Sequence, residues 1–136
     1  MIRRGGFSLI ELTVVLVIAG LLALAAVPEV SVAMETATVD KGAAVLHSIW
    51  LAERMYRLEQ GEFTPSVQDL VRLGVIRSSV LEGDEDFQYR IRRARPNGVE
   101  IEARRIRATG WTGSLVLDEE GRITGQTSRD GHVVQP

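Results

Sequence analysis

The stretch from Gly6 to Pro28, GFSLIELTVVLVIAGLLALAAVP, constrains this chain more than any other. From Phe7 to Val27 the only polar side chains are Ser8, Glu11 and Thr13, and a helix of roughly 20 such residues spans the hydrocarbon core of a bilayer. A membrane-spanning helix over residues 7–28 is expected. Arg3 and Arg4 precede the run with no acid among them, and the first acid beyond it is Glu29. The positive-inside rule then puts Met1 in the cytoplasm and the bulk of the chain outside it. A cleaved secretory signal is the rival reading, since Ala23, Ala25 and Ala26 would permit a small-x-small cut. Glu11 argues against it, because a charge inside the apolar segment costs about 2.5–3.5 kcal/mol at the helix centre and less toward its end. No basic residue lies within reach of Glu11 on its own helix, so a partner for this carboxylate must come from elsewhere.

A short basic leader, Gly6, the run Phe7-Ser8-Leu9-Ile10-Glu11 and the apolar segment after it resemble the amino terminus of type IV pilins and pseudopilins. The resemblance implies that a prepilin peptidase cuts after Gly6 and methylates the new amino terminus at Phe7. It implies a role for Glu11 as well: during assembly its carboxylate meets the positive amine on Phe7 of a neighbouring subunit. Physical chemistry agrees, since a buried charge left without its partner costs roughly 3–5 kcal/mol. The implied partners are homologous pilin-like subunits in a filament, the peptidase, an inner-membrane assembly platform, and membrane lipid before assembly. The implied localisation is the bacterial inner membrane in a single pass, then a periplasmic or cell-surface filament.

With 136 residues there is room for one domain. Residues 1–6 are a leader and take no part in the fold. Beyond the membrane run about a hundred residues remain, enough for one modest core. The chain has no cysteine, so an extracytoplasmic head must be held by packing rather than disulfides, and a thiol nucleophile or thiolate metal site is excluded. Without the two leader arginines the side chains count fourteen basic against eighteen acidic, a net −4. That balance offers no global attraction to nucleic acid.

Pro28 is expected to kink rather than stop the helix, since it removes a donor and crowds the carbonyl of Leu24. Gly20 is a second weak point. In the family such a glycine–proline pair accompanies helix melting on packing into filaments; simple tolerance of both residues in a membrane helix reads as well. The amphipathic half of the helix spans residues 29–60. In it Val45, Ile49, Ala52 and Tyr56 form one apolar stripe, with Leu51, Met55 and Leu58 on the next. Gly61 ends the helix. Residues 61–85 form a connection with one short helix, opened by a capping box between Ser66 and Asp69.

From residue 86 to 125 the period changes to two. Phe87, Tyr89 and Ile91 alternate with Gln88, Arg90 and Arg92, then Val99, Ile101 and Ala103 with Glu100, Glu102 and Arg104. A two-residue Asn97-Gly98 turn would put the apolar side chains on opposite faces, so a loop of three or five residues is expected. Arg90 and Arg92 then face Glu102 and Glu100. Leu115, Leu117 and Ile123, around a turn at Glu119-Glu120-Gly121, supply a third strand and a fourth. Residues 126–136 read as a polar tail. The fold class is α+β: a long amino-terminal helix packed on a small antiparallel meander of three to four strands.

Arg90 to Arg107 is rich in arginine, but the interleaved Glu100 and Glu102 and the lack of outward aromatics argue against nucleic acid. Asp118, Glu119, Glu120 and Asp130 lack the alternating spacing of a calcium loop. His47 and His132 have no carboxylate cluster at metal spacing. With no phosphate loop or nucleophile elbow, nothing points to an enzyme or a cofactor. The alternative to a filament subunit is a single-pass anchored extracytoplasmic binding module that does not polymerise.

Overall fold

The computed structural model describes residues 8–106 and 109–136, and of residues 25–28 the backbone alone. The chain divides into two compact units, residues 1–33 and 34–136.

In the first unit lies the start of α1, which as a whole is Leu9–Gln60, 52 residues. It is long and apolar enough to cross a membrane. Leu9, Ile10, Leu16, Leu21, Leu22 and Leu24 are all more than three-fifths exposed. A helix apolar all round needs lipid or protein on every side. The helical assignment passes unbroken through Gly20 and Pro28.

The second unit holds the rest of α1, then α2 (Val67–Arg72), α3 (Ser78–Glu82) and five strands: β1 (Phe87–Arg95), β2 (Gly98–Arg105), β3 (Thr112–Leu117), β4 (Ile123–Arg129) and β5 (His132–Val134). The strands form one antiparallel meander in the order β1-β2-β3-β4-β5. The fold class is therefore the α+β helix-and-meander expected, with one strand more than the sequence suggested. Residues read as a polar tail complete β4 and make β5. The turn between them is Asp130-Gly131, with φ of 50° and 84°, the paired left-handed conformation of a tight hairpin that matches strand twist.

The core lies on one face of the sheet. Phe87, Ile101, Ala103, Leu115 and Leu117 are buried there, together with Val39, Leu46, Ile49 and Ala52 of α1 and Leu70 of α2. On α1 the covered positions Glu35, Val39, Gly42, Leu46, Ile49 and Glu53 are alternately four and three residues apart, with Ala52 covered beside the last of them, which is the spacing of a seam laid along a partner surface. The ring of Phe87 explains the glycine in that seam: a Cβ at Gly42 would stand 2.8 Å from its Cε2. The expected second stripe is not core. Leu51, Met55 and Leu58 are 57%, 46% and 87% exposed, because a straight seam of this period buries one narrow arc only.

Three local expectations are corrected. The β1–β2 connection is two residues long, with Arg95 opposite Gly98 and Ala94 opposite Val99. The parity problem is solved inside β1, where a bulge at Arg92 shifts the register between Ile91 and Arg93, so that both halves of the strand keep apolar side chains inward. Arg90 lies opposite Glu102 and pairs with it, as expected; the residue opposite Glu100 is Arg93 rather than Arg92, although Arg92 reaches Glu100 from the bulge at 3.2 Å. The capping box at α2 does not form. Ser66 occupies the N-cap in extended geometry but makes no side-chain cap bond: its hydroxyl donates to Gln68 Oε1 at 3.1 Å, and the Asp69 carboxylate that would reach back is taken by the Thr64 hydroxyl at 2.9 Å and by Arg72 at 3.0 Å. The connection also carries two short helices rather than one.

Helix ends follow the sequence. Gly61 closes α1 at φ 86° and donates to the Arg57 carbonyl at 2.8 Å, a conformation that costs a residue with a Cβ far more. After α2, Gly74 donates to Val71 and Val75 to Leu70, the paired bonds of a Schellman ending.

Candidate functional site

Of the residues singled out by the sequence, Glu11 sits at the start of α1 and Gly20 and Pro28 farther along it. Gly6 and Phe7 lie outside the described residues, and Glu11 is the part of the expected ion pair that is described. Ser8 precedes the helix, and Glu11 stands in its first turn. Glu11 Oε2 accepts the backbone N–H of Ser8 at 3.0 Å. This is one arm of a capping box, S-x-x-E, in which the acid reaches back to the amide ahead of the helix. The sequence reading missed it, although Ser8-Leu9-Ile10-Glu11 displays the pattern.

The bond explains how a carboxylate can open an apolar helix. One of its oxygens is engaged by an amide of its own chain, and the amide dipoles of the helix start favour negative charge. A carboxylate offers about four acceptor sites, so the Ser8 bond leaves Glu11 able to receive a strong donor from another chain. Thr13 spends its hydroxyl on the Ile10 carbonyl at 2.8 Å. No basic residue of the described first unit competes for Glu11.

The head carries buried charge that the sequence did not reveal. Arg105, on β2, forks onto Glu35 of α1, Nε to Oε1 at 3.1 Å and Nη2 to Oε2 at 2.9 Å. Its Nη1 donates to the Asp86 carbonyl at 3.0 Å and carboxylate at 2.8 Å, and Nη2 also donates to the Thr109 hydroxyl at 3.4 Å. The guanidinium lies 5.4 Å from the centre of the Phe87 ring. Burial works against its charge, and the Glu35 and Asp86 carboxylates outweigh that and hold its pKa above the ordinary value.

Nearby, Asp84 ties the entry of β1. Its Oδ1 accepts from Asp86 N at 2.9 Å, Phe87 N at 3.3 Å and Lys41 Nζ at 3.3 Å, and its Oδ2 from the Tyr89 hydroxyl. Burial alone would raise its pKa; the Tyr89, Asp86 and Lys41 donors overcome this and hold it below the usual carboxylate value. These groups are saturated by one another, which is the pattern of a structural clamp rather than of a reaction centre.

Among the described residues no group of three or more His, Asp or Glu side chains is placed to hold a metal ion. His47 and His132 are exposed. The acids at 118–120 form the β3–β4 hairpin tip, where Asp118 accepts from the amides of Glu120 and Arg122 at 3.0 and 2.9 Å. Arg90, Arg92 and Arg93 on β1 are drawn into pairs with Glu100 and Glu102.

No curated protein matches the chain. Residues 1–27 match the family model described as the prokaryotic N-terminal methylation motif. The chain thus carries on its amino-terminal apolar helix the signature of type IV pilins and pseudopilins.

Proposed function

We propose that this protein is the precursor of a structural subunit, a pilin-like protein or pseudopilin, of an extracytoplasmic type IV pilus or type II secretion filament. The observation that carries the reading is the methylation motif at residues 1–27 on an apolar helix with a carboxylate in its first turn. Arg3 and Arg4 keep the leader in the cytoplasm, α1 crosses the inner membrane, and the head folds outside. Prepilin peptidase cuts between Gly6 and Phe7 and methylates the Phe7 amine, which stays positively charged as an alkylated amine. Glu11 of an incoming subunit takes this amine from its neighbour, so a charge that is costly in lipid is neutralised only in the filament. Sibling subunits and an inner-membrane platform are the partners, and the protein is not an enzyme. Gly20 and Pro28 are the points where α1 gives when helices bundle.

The intact mass and amino-terminal sequence of the protein from its native membranes test this. A chain beginning at methylated Phe7 supports the reading. A chain beginning at Met1, or cut near Ala26, sinks it in favour of an anchored or secreted module.

A further inference from the structure

At the far end of the α1 seam from Glu35 stands a second buried acid, Glu53, fully covered like its counterpart but without a cation. Its Oε2 accepts a single bond, from the backbone N–H of Thr64 at 3.1 Å. Its Oε1 is buried with no hydrogen-bond partner. The same Thr64 turns its hydroxyl to Asp69 of α2 at 2.9 Å and receives the Ser66 amide at 3.1 Å. Thr64 is therefore a hub held between two carboxylates, and residues 61–66, which connect α1 to α2, are seated on the head through it.

The charged groups around Glu53 do little to compensate it. On α2, Asp69 presents a like charge, itself paired with Arg72 at 3.0 Å. On α1, Arg54 and Arg57 stack on Trp50 and Phe63, 4.7 and 4.8 Å from the ring centres. In the connector, Glu62 is exposed. A fully buried carboxyl with one donor, an orphaned oxygen and an acid for a neighbour favours its neutral form.

We propose that Glu53, Thr64 and Asp69 form a proton-operated latch that seats the α1–α2 connector on the head, closed while Glu53 carries a proton and loosened when it ionises. The balance of forces at this carboxyl agrees with that geometry: burial, first, and Asp69 raise its pKa against the Thr64 bond, from 4.5 to about 7. The sign follows. The closed head binds a proton that the opened connector releases, so the contribution is present in acid and is lost as pH rises from 4.5 through about 7. With the head outside the cytoplasm, the latch responds to the pH of that compartment.

The test is amide hydrogen exchange of the full chain in detergent micelles, read at Thr64 from pH 5 to 8 against Glu53→Gln. With an opened-state value of 4.5 and a closed-state value of about 7, the Thr64 protection factor should fall roughly seventyfold over this range. Glu53→Gln keeps an acceptor for Thr64 and has no proton to lose, so its protection factor should stay level. Protection in the unmodified chain that stays level as well overturns the proposal. So does a carbon-detected titration placing the Glu53 carboxyl of the unmodified chain at its ordinary value, a measurement that holds even if the variant misfolds. Neither readout depends on whether the chain polymerises.

Discussion

Replacing Glu35 with Gln should be among the most damaging conservative changes to the head. Glu35 accepts two of the five hydrogen bonds that Arg105 makes, and the Arg105 side chain is only 3% exposed. Hydrogen bonds to charged groups contribute about 1.5–3 kcal/mol each, and stripping one partner from a buried pair costs roughly 3–5 kcal/mol. Asp86 remains at 2.8 Å as a counter-charge, so the low end applies, about 3 kcal/mol. Gln keeps the shape and one acceptor but turns an N–H group toward a guanidinium that offers only donors. Trp50 and Trp111 both lie in the head, so urea unfolding of the detergent-solubilised chain can be followed by their fluorescence. With a urea slope of about 1–3 kcal/mol/M, the midpoint should drop by about 1–3 M at unchanged slope. The double variant Glu35→Leu with Arg105→Met removes both charges and should be less destabilised than the sum of its single changes by at least about 1 kcal/mol. A loss below about 1 kcal/mol for Glu35→Gln, with strict additivity in the double variant, would refute the clamp: the pair would then be as wet as a surface ion pair.

Four further outcomes are expected. Gly42→Ala should destabilise the head by about 1–3 kcal/mol through the clash with Phe87, although Ala is about 1 kcal/mol the better helix former; a gain in the unfolding midpoint would contradict the packing described. Asp84→Asn should flatten the acid limb of head stability, since a carboxylate held below its ordinary 3.8 contributes above that pH and loses its contribution as pH falls through its lower folded value; melting curves from pH 2 to 6 read this. Glu11→Ala should leave the chain inserted and processed at Phe7 while sheared-filament preparations lose it; undiminished incorporation of the variant would refute the assembly role of Glu11, and absence of the unmodified chain from such preparations would favour the anchored binding module. Gly131→Val should detach β5, because its φ of 84° admits no β-branched residue cheaply, and exchange at Thr127 and Ser128 should accelerate while β1 stays protected.

What could be read in the sequence was whatever repeats. The apolar run to Val27 announces its helix by length, and the alternation at Phe87-Tyr89-Ile91 announces its strand by period, down to the facing of Arg90 and Glu102. The bulge at Arg92 could not be read, since nothing in FQYRIRRAR distinguishes an inserted arginine from its neighbours; only the two-residue connection, known from the pairing, requires it. Asp130-Gly131 was legible and overlooked, because polar residues on either side hid a hairpin of seven and three residues. The buried acids failed for another reason. Glu35 and Glu53 sit among Met34, Thr36, Arg54 and Ala52 like any solvated helix residues, and what buries them is sequence far away. At the candidate site, the Ser8-to-Glu11 spacing held both the carboxylate in the apolar helix and its cap, and a reading directed at charge found only the first.

The Arg105–Glu35 contact joins positions 70 residues apart, and that separation has a bearing on the order in which the head is made. Glu35 leaves the ribosome early, on a helix with its seam bare, and Arg105 follows only after the connector, α2, α3 and β1. Closing so long a loop draws on chain entropy before any contact repays it. Until β2 arrives, the acid that is later sealed inside keeps its water and helps hold the naked seam in solution. The nascent helix therefore carries a built-in deterrent to premature docking, and the deterrent is removed by the strand that completes the sheet's first hairpin.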